Sequence, residues 1–394
     1  MEISHRLAGR TFGAALLTVL TLTAPGLTTD PVAASPTGEV VRADPALRVA
    51  GSYLVQLRPG ESPDLAARYG VRVARDLDGA VHGAVIEATP QQAELLAADP
   101  AVGRVEENQR ISLRPPAPTV PTRARSCGLD RIDQRQLPLD GRYSPPLSGG
   151  AGTTVYLIDS GIDYHHPDLW PRARPGFDAF GGDGSDALGN GTFMAGVIAG
   201  TRYGVAKQAS LVSVKVIDDA GGGTLDGLLA GIAWVTTHAR RPAVANFVIG
   251  LPANDIVDEA VRRSIASGVT YSIEAGGDAT DAGNGSPARV AEGIVVGASD
   301  CADRLAPFTN YGASLDLFAP GVDITATTPG GGTGQMSGVQ VAAAHVSGAA
   351  ALYLGSHRTA SPAQVEASLT RAAVEGVLSE VPAGTPNRLL QIPR

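Results

Sequence analysis

The stretch Ser337-Gly338-Val339-Gln340-Val341-Ala342-Ala343-Ala344-His345-Val346-Ser347-Gly348 decides the reading of the fold. It reads as a tight turn that opens a helix of small side chains. Working outward, the chain before it alternates apolar runs with helical patterns. Strands are expected at Thr154–Ile158, Ser210–Ile217, Ala243–Ile249, Val269–Glu274 and Ile294–Ala298. Helices are expected near Gly191–Ala199, Thr224–His238, Asp255–Ser267, Val341–Leu354 and Ser361–Ala373. That alternation predicts an α/β domain with a doubly wound, mostly parallel sheet and helices on both faces.

The beginning of the chain has a different pattern. Arg6 and Arg10 precede an apolar run from Phe12 to Leu22, and Val32-Ala33-Ala34 follows as a small-residue site. Residues 1–34 therefore read as an export signal; Pro25 arrives too early for a membrane span, and the protein is expected to be secreted. Residues 35–50 are polar and unpatterned, and they read as disordered. Residues 51–113 carry strands at Ser52–Leu57, Val71–Leu77, His82–Ala88 and Val102–Glu107, with helices opening at Ser62-Pro63 and Thr89-Pro90. The order β-α-β-β-α-β is that of a small ferredoxin-like α+β module. A proline-rich linker at 114–123 leads into the large domain, 124–394.

Composition narrows the partners. The 394 residues carry a net charge of -8 and no run of Lys or Arg, which argues against nucleic acid and anionic membranes. Cys127 and Cys301 are the two cysteines, so a disulfide-rich scaffold is excluded; one bridge and two buried thiols both remain open. A monomer is expected.

Three motifs bear on chemistry. Val155-Tyr156-Leu157-Ile158-Asp159-Ser160-Gly161 is a buried strand with a carboxylate at its C-terminal end, where open α/β sheets bind ligands. Asp186-Ala187-Leu188-Gly189-Asn190-Gly191-Thr192 is a glycine turn that starts a helix, and the opening stretch is the third. Together, in this order, they resemble the subtilase family of serine proteases, in particular its proteinase K-like branch. Flanking stretches agree, among them Ser286-Pro287-Ala288, Asn310-Tyr311-Gly312 and Leu315-Asp316-Leu317-Phe318-Ala319-Pro320-Gly321. The resemblance implies a subtilisin-like fold whose first module is a propeptide, a partner in cis that inhibits its own domain.

The resemblance also assigns roles. Asp159 matches the carboxylate that orients the catalytic imidazole. The imidazole position holds Asn190, the nucleophile position holds Gln340, and the oxyanion asparagine is replaced by Gly277. In subtilisin, losing the serine or the histidine alone costs ~10⁶ in rate. On that ground the leading expectation is a pseudoprotease that works by binding or scaffolding.

Two rivals accompany it. The first is a non-proteolytic enzyme acting on a small molecule. Glu274, which replaces a small residue of the family's primary specificity pocket, is there expected close enough to Asp159 to raise one pKa and serve as acid or base. The second is a weakly active serine endopeptidase.

Val248-Ile249-Gly250-Leu251 corresponds to the family's substrate strand, with Leu251 expected to obstruct an approaching peptide. His165 and His166 resemble a surface segment, and His345 a packed histidine. No cofactor is required. A structural Ca²⁺ is admitted at Asp316 with the carbonyls of Ala291 and Gly293. The ligand is a peptide, a protein or a small molecule.

Overall fold

A computed structural model describes residues 38–113 and 127–392. The expected export signal and the proline-rich linker lie outside the described residues.

The first module contains strands β1 (Val40–Val41), β2 (Arg48–Leu57), β3 (Arg72–Asp76), β4 (Gly83–Glu87) and β5 (Val102–Ser112), with helices α1 (Leu65–Tyr69) and α2 (Pro90–Ala97). The spatial order β5-β2-β4-β3, all antiparallel, is the ferredoxin-like arrangement. Thr89 closes a reciprocal capping box with Gln92 at the start of α2, which is why the Thr-Pro signal was readable. For α1 the expected cap is displaced: Asp64, not Ser62, accepts from the Ala67 N–H. The reading of 35–50 as disordered is corrected for its described part. Val40 and Val41 pair in parallel with Val105 and Glu106, and Arg42 and the Ala43 N–H both bind the Glu107 carboxylate.

The large domain begins with α3 (Gly128–Asp133) and continues through β6 (Thr154–Asp159), β7 (Ala173–Asp178), α4 (Asn190–Ala199), β8 (Ser210–Lys215) and β9 (Gly222–Thr224). Then come α5 (Leu225–His238), β10 (Ala243–Phe247), β11 (Leu251–Pro252), α6 (Asp255–Ala266), β12 (Val269–Glu274), β13 (Gly285–Ser286) and β14 (Ile294–Ser299). The chain closes with β15 (Leu317–Pro320), the hairpin β16 (Ile324–Thr328) and β17 (Gly332–Met336), α7 (Val339–Ser356), α8 (Pro362–Ala372), β18 (Val374–Glu375) and β19 (Arg388–Leu389).

The main sheet has nine strands in the order β18-β19-β15-β14-β12-β10-β6-β8-β7, parallel except for the terminal β18–β19 pair. This is the expected subtilisin-like α/β architecture. The central strands are buried on both faces, as continuous apolar runs require: Val155 to Asp159, Ala243 to Phe247 and Val269 to Glu274 are all buried.

Helix α7 passes through the core, and its residues from Val339 to Leu352 are all buried. Small side chains let it lie close to β10, β12, β14 and α4. Its polar groups have partners in that core: Ser347 donates to Asn246 Oδ1 at 2.9 Å, and Ser272 on β12 donates to the Ala343 carbonyl at 2.9 Å. On the opposite face α5 and α6 share one apolar cluster with Leu54, Leu77, Val81, Val85 and Ile111 of the first module. The two modules therefore share a core.

Candidate active site

The site forms at the C-terminal ends of β6, β10 and β12. Asp159 ends β6 and is fully buried. Its two carboxylate oxygens each accept from Asn190 Nδ2 at 2.9 Å, and Oδ1 also accepts from the Ser160 N–H at 2.6 Å. Burial pushes the Asp159 carboxyl up to about 7, against the lowering effect of those hydrogen bonds; Asp186 adds to the rise.

Asn190 is the first residue of α4. The single nitrogen Nδ2 thus reaches both oxygens of Asp159, and Asn190 lines a cavity of about 660 Å³ together with Leu188, Phe193, Gly221 and Met336. The structure thus brings Asp159 and Asn190 together as the sequence implied.

Asp186, which sequence reasoning did not single out, fixes this corner. It accepts from the Gly189 N–H, the Thr192 N–H and hydroxyl, and the Ser160 hydroxyl, at 2.6–3.0 Å. The carboxylate thereby caps the start of α4 from the preceding turn. The available signal was its spacing, a carboxylate six residues before Thr192 in the glycine turn.

Gln340 lies in the first turn of α7 and is buried. Its amide folds back over Gly338, where an added Cβ would lie 2.2 Å from Oε1. Ser337 is not a nucleophile in waiting, because its hydroxyl accepts from the Asp323 N–H at 2.9 Å. Gly277 follows Gly276, whose φ of 92° and closeness to Asn310 admit no side chain. Asn310 fixes this turn: it donates to the Ala275 carbonyl at 2.9 Å and accepts from the Asp278 and Thr280 N–H groups at 2.9 and 3.1 Å.

Two expectations about the cleft are corrected. Ile158 of β6, Phe247 of β10 and Ile273 of β12 stand in register, so Asp159 and Glu274 are separated by an intervening strand, about 10 Å. Burial and Asp186 raise Asp159; Glu274 is not among the causes. The two carboxyls do not assemble as an acid–base pair.

Leu251 does not obstruct the cleft either. Its side chain packs in the apolar cluster with Ile256, Val257 and Val290, and its backbone pairs with Ser286. Val248 and Ile249 are likewise buried, which leaves Gly250 as the exposed point of this strand.

The histidines have structural roles. His345 is fully buried, donates from Nδ1 to the Val341 carbonyl at 2.9 Å, and is held down at about 4 by burial. His166 donates to the Gly332 carbonyl at 2.8 Å while its Nδ1 accepts from the Asp168 N–H. His165 stacks on Trp170.

Asp316 accepts from the Val295 N–H at 2.8 Å, and burial, reinforced by Glu366, raises its carboxyl to about 7. Among the described residues no group of three or more His, Cys, Asp or Glu side chains converges as a metal site. Cys127 and Cys301 form a disulfide, which settles the alternative left open by the sequence.

The first module reaches this site. The end of β5 pairs antiparallel with β9, Ile111 opposite Gly223 and Ser112 opposite Gly222, and the Leu113 N–H donates to the Gly221 carbonyl at 3.0 Å. Ser112 and Leu113 then line the same cavity as Asn190. An extended backbone is therefore already seated at the cleft.

A sequence profile of the Subtilase family matches residues 150–389. The chain belongs to that family. It is 42% identical over 331 residues to the extracellular serine proteinase of Thermus sp. (strain Rt41A), covering 82% of this chain and 78% of that protein. It is 39% identical over 329 residues to alkaline serine exoprotease A of Vibrio alginolyticus, covering 83% of this chain but 61% of that longer protein. The solved structure of a cold adapted subtilisin-like serine proteinase matches 68% of this chain and 99% of its own with a TM-score of 0.67 at 40% identity.

These relatives overturn the pseudoprotease expectation. Proteins alike over most of the chain are named serine proteases, and no comparison attaches a loss of peptidase activity to this fold.

Proposed function

We propose that this chain is a secreted endopeptidase of low turnover, of the proteinase K-like branch, whose triad positions are Asp159, Asn190 and Gln340. The observation that carries the reading is the seating of β5 along β9 up to Leu113, beside Asn190. It supports a cleft that takes extended peptide backbone, and relatives with the same fold are named for cutting such chains.

Without a side-chain nucleophile, the attacking group is water. Asn190 Oδ1 accepts a hydrogen bond from that water. The water oxygen bonds to the peptide carbonyl carbon, the C–N bond breaks, and the water's proton passes to the leaving amine. Asp159 positions Asn190 through both carboxylate oxygens. With the triad removed, an intact oxyanion hole and substrate binding leave about 10³–10⁴-fold over uncatalysed hydrolysis; with Gly277 at the oxyanion position that figure is the ceiling on the turnover.

A structural Ca²⁺, common in this family, would be held by the Asp316 carboxylate with the Ala291 and Gly293 carbonyls. All are hard oxygen donors of the kind that ion takes. The export reading is supported by a relative named an extracellular proteinase.

The test is the intact mass of the full chain secreted from a protease-deficient host. Endopeptidase action releases the first module, with a new N-terminus after Leu113, over hours to days of incubation. The same chain carrying Asp159→Asn stays uncut. A wild-type chain that keeps residues 51–113 indefinitely, and cleaves no added peptide, refutes the reading.

A further inference from the structure

At the end of the main sheet opposite Asp159 and Asn190, the starts of β10 and β12 line a cavity of about 760 Å³, a size that small ligands occupy. It shares no lining residue with the cavity beside Asn190. Ala243, Ile265 and Leu354 give it a buried apolar wall, and α8 begins at its edge with Pro362.

Two guanidinium groups belong to the same lining. Arg241 lies along Gly268, where an added Cβ would come within 3.0 Å of Cδ, and Arg358 lies over Gly152, where an added Cβ would run into the guanidinium. Both glycines have positive φ, 100° and 77°, so a turn without a side chain makes room for each arginine. Neither arginine has a hydrogen-bond or ion-pair partner among the described residues. The chain carries 39 Asp and Glu against 31 Lys and Arg, so a shortage of acids does not explain this. Thr270 repeats the pattern: it is 2% exposed, lines the cavity, and its hydroxyl has no partner among the described residues.

The carboxylates of the lining give the cavity a direction. Glu292 is engaged by Arg262 at 3.5 Å. Glu366, four residues into α8, acts on Asp316, whose carboxyl it helps to push up, so that side repels an anion and leaves the arginine side to receive it.

We propose that this cavity binds a small organic acid, a carboxylate on an aliphatic or aromatic body, with Arg241 and Arg358 holding the carboxylate and the apolar wall holding the body. Guanidinium groups only donate hydrogen bonds, and their planar fork matches the two oxygens of a carboxylate. Binding here is independent of hydrolysis at the cleft, which lies at the other end of the strands.

The probes are phenylbutyrate and its neutral amide, phenylbutyramide, titrated by calorimetry into the full chain. The acid is expected to bind about tenfold more tightly than the amide, as charge-assisted hydrogen bonds exceed neutral ones. That preference disappears when Arg241→Gln and Arg358→Gln are combined. It persists when Arg241→Lys and Arg358→Lys are combined, which keeps both charges and guards against a misfolded glutamine variant. Glu366→Gln removes the opposing charge and should strengthen the acid about threefold while leaving the amide unchanged. Equal affinity for the two probes, no binding of either, or a preference unchanged in the double glutamine variant overturns the proposal.

Discussion

Replacing Asp159 by asparagine should change how the stability of the fold depends on pH, and the size follows from the structure. The carboxyl moves from an ordinary value of 3.8 to about 7 on folding, because it is wholly buried. A raised carboxyl binds its proton more tightly in the folded than in the unfolded state. Its contribution is therefore intact below the unfolded pKa and is lost as pH climbs through the window from about 4 to 7. At ~1.36 kcal/mol per unit the full loss is about 4 kcal/mol, of which roughly 3 falls between pH 5 and pH 8.

Asparagine has the same shape and no titration. Its oxygen keeps the Ser160 N–H, and a flip of the Asn190 amide restores one amide–amide hydrogen bond in place of the two that Asn190 now gives. The exchange costs about 1 kcal/mol at every pH. Asp159→Asn should then be more stable than wild type at pH 8 by about 2–3 kcal/mol, and equal or slightly less stable at pH 5. Urea unfolding with the disulfide intact, at both pH values, measures the difference. If the variant and wild type lose stability in parallel between pH 5 and 8, the carboxyl is not raised and the account of the site fails. The peptidase assay gives an independent check: wild-type turnover should rise through about pH 7 as Asp159 ionises and anchors Asn190.

Two other substitutions test the packing around the site. Gly128→Ala places a Cβ 2.4 Å from His345 Nε2, and the histidine, enclosed on all sides, has no room to yield. It should lower stability by about 1–3 kcal/mol, visible as a lowered melting temperature. Asn108→Ala removes the bond to Asp226 Oδ1 at 2.8 Å and the return bond from the Asp226 N–H at 3.3 Å, where β5 meets the start of α5. The first module should then be held less tightly, by about 1–3 kcal/mol, and limited proteolysis should detach it faster with the large domain left intact.

Much of this molecule was legible in its sequence for a plain reason. The central strands are fully buried apolar runs of five or six residues, and α2 and α8 open on Thr-Pro and Ser-Pro, where the cap and the first helical residue are both favourable. The elements that escaped are the edge strand β7, whose Pro175 and Gly176 break the apolar pattern, and β18 and β19, whose two residues each are too few to show a period. Strand β1 escaped because two valines beside charged residues read as a solvated tail, while Glu107 across the sheet supplies the partner.

The site was legible in its membership and not in its distances. Motif order placed Asn190 against Asp159, but nothing in the spacing shows that β10 comes between Asp159 and Glu274. The strand order carries the consequence. It leaves Asp159 buried behind Asn190, which lines the cavity reached by the seated β5 segment, and places Glu274 in the lining of another. A change at Glu274 should therefore leave the pH profile set by Asp159 in place. Substituting Asp159 should abolish that profile, and a profile displaced in Glu274→Gln would mean that the two carboxyls are coupled after all.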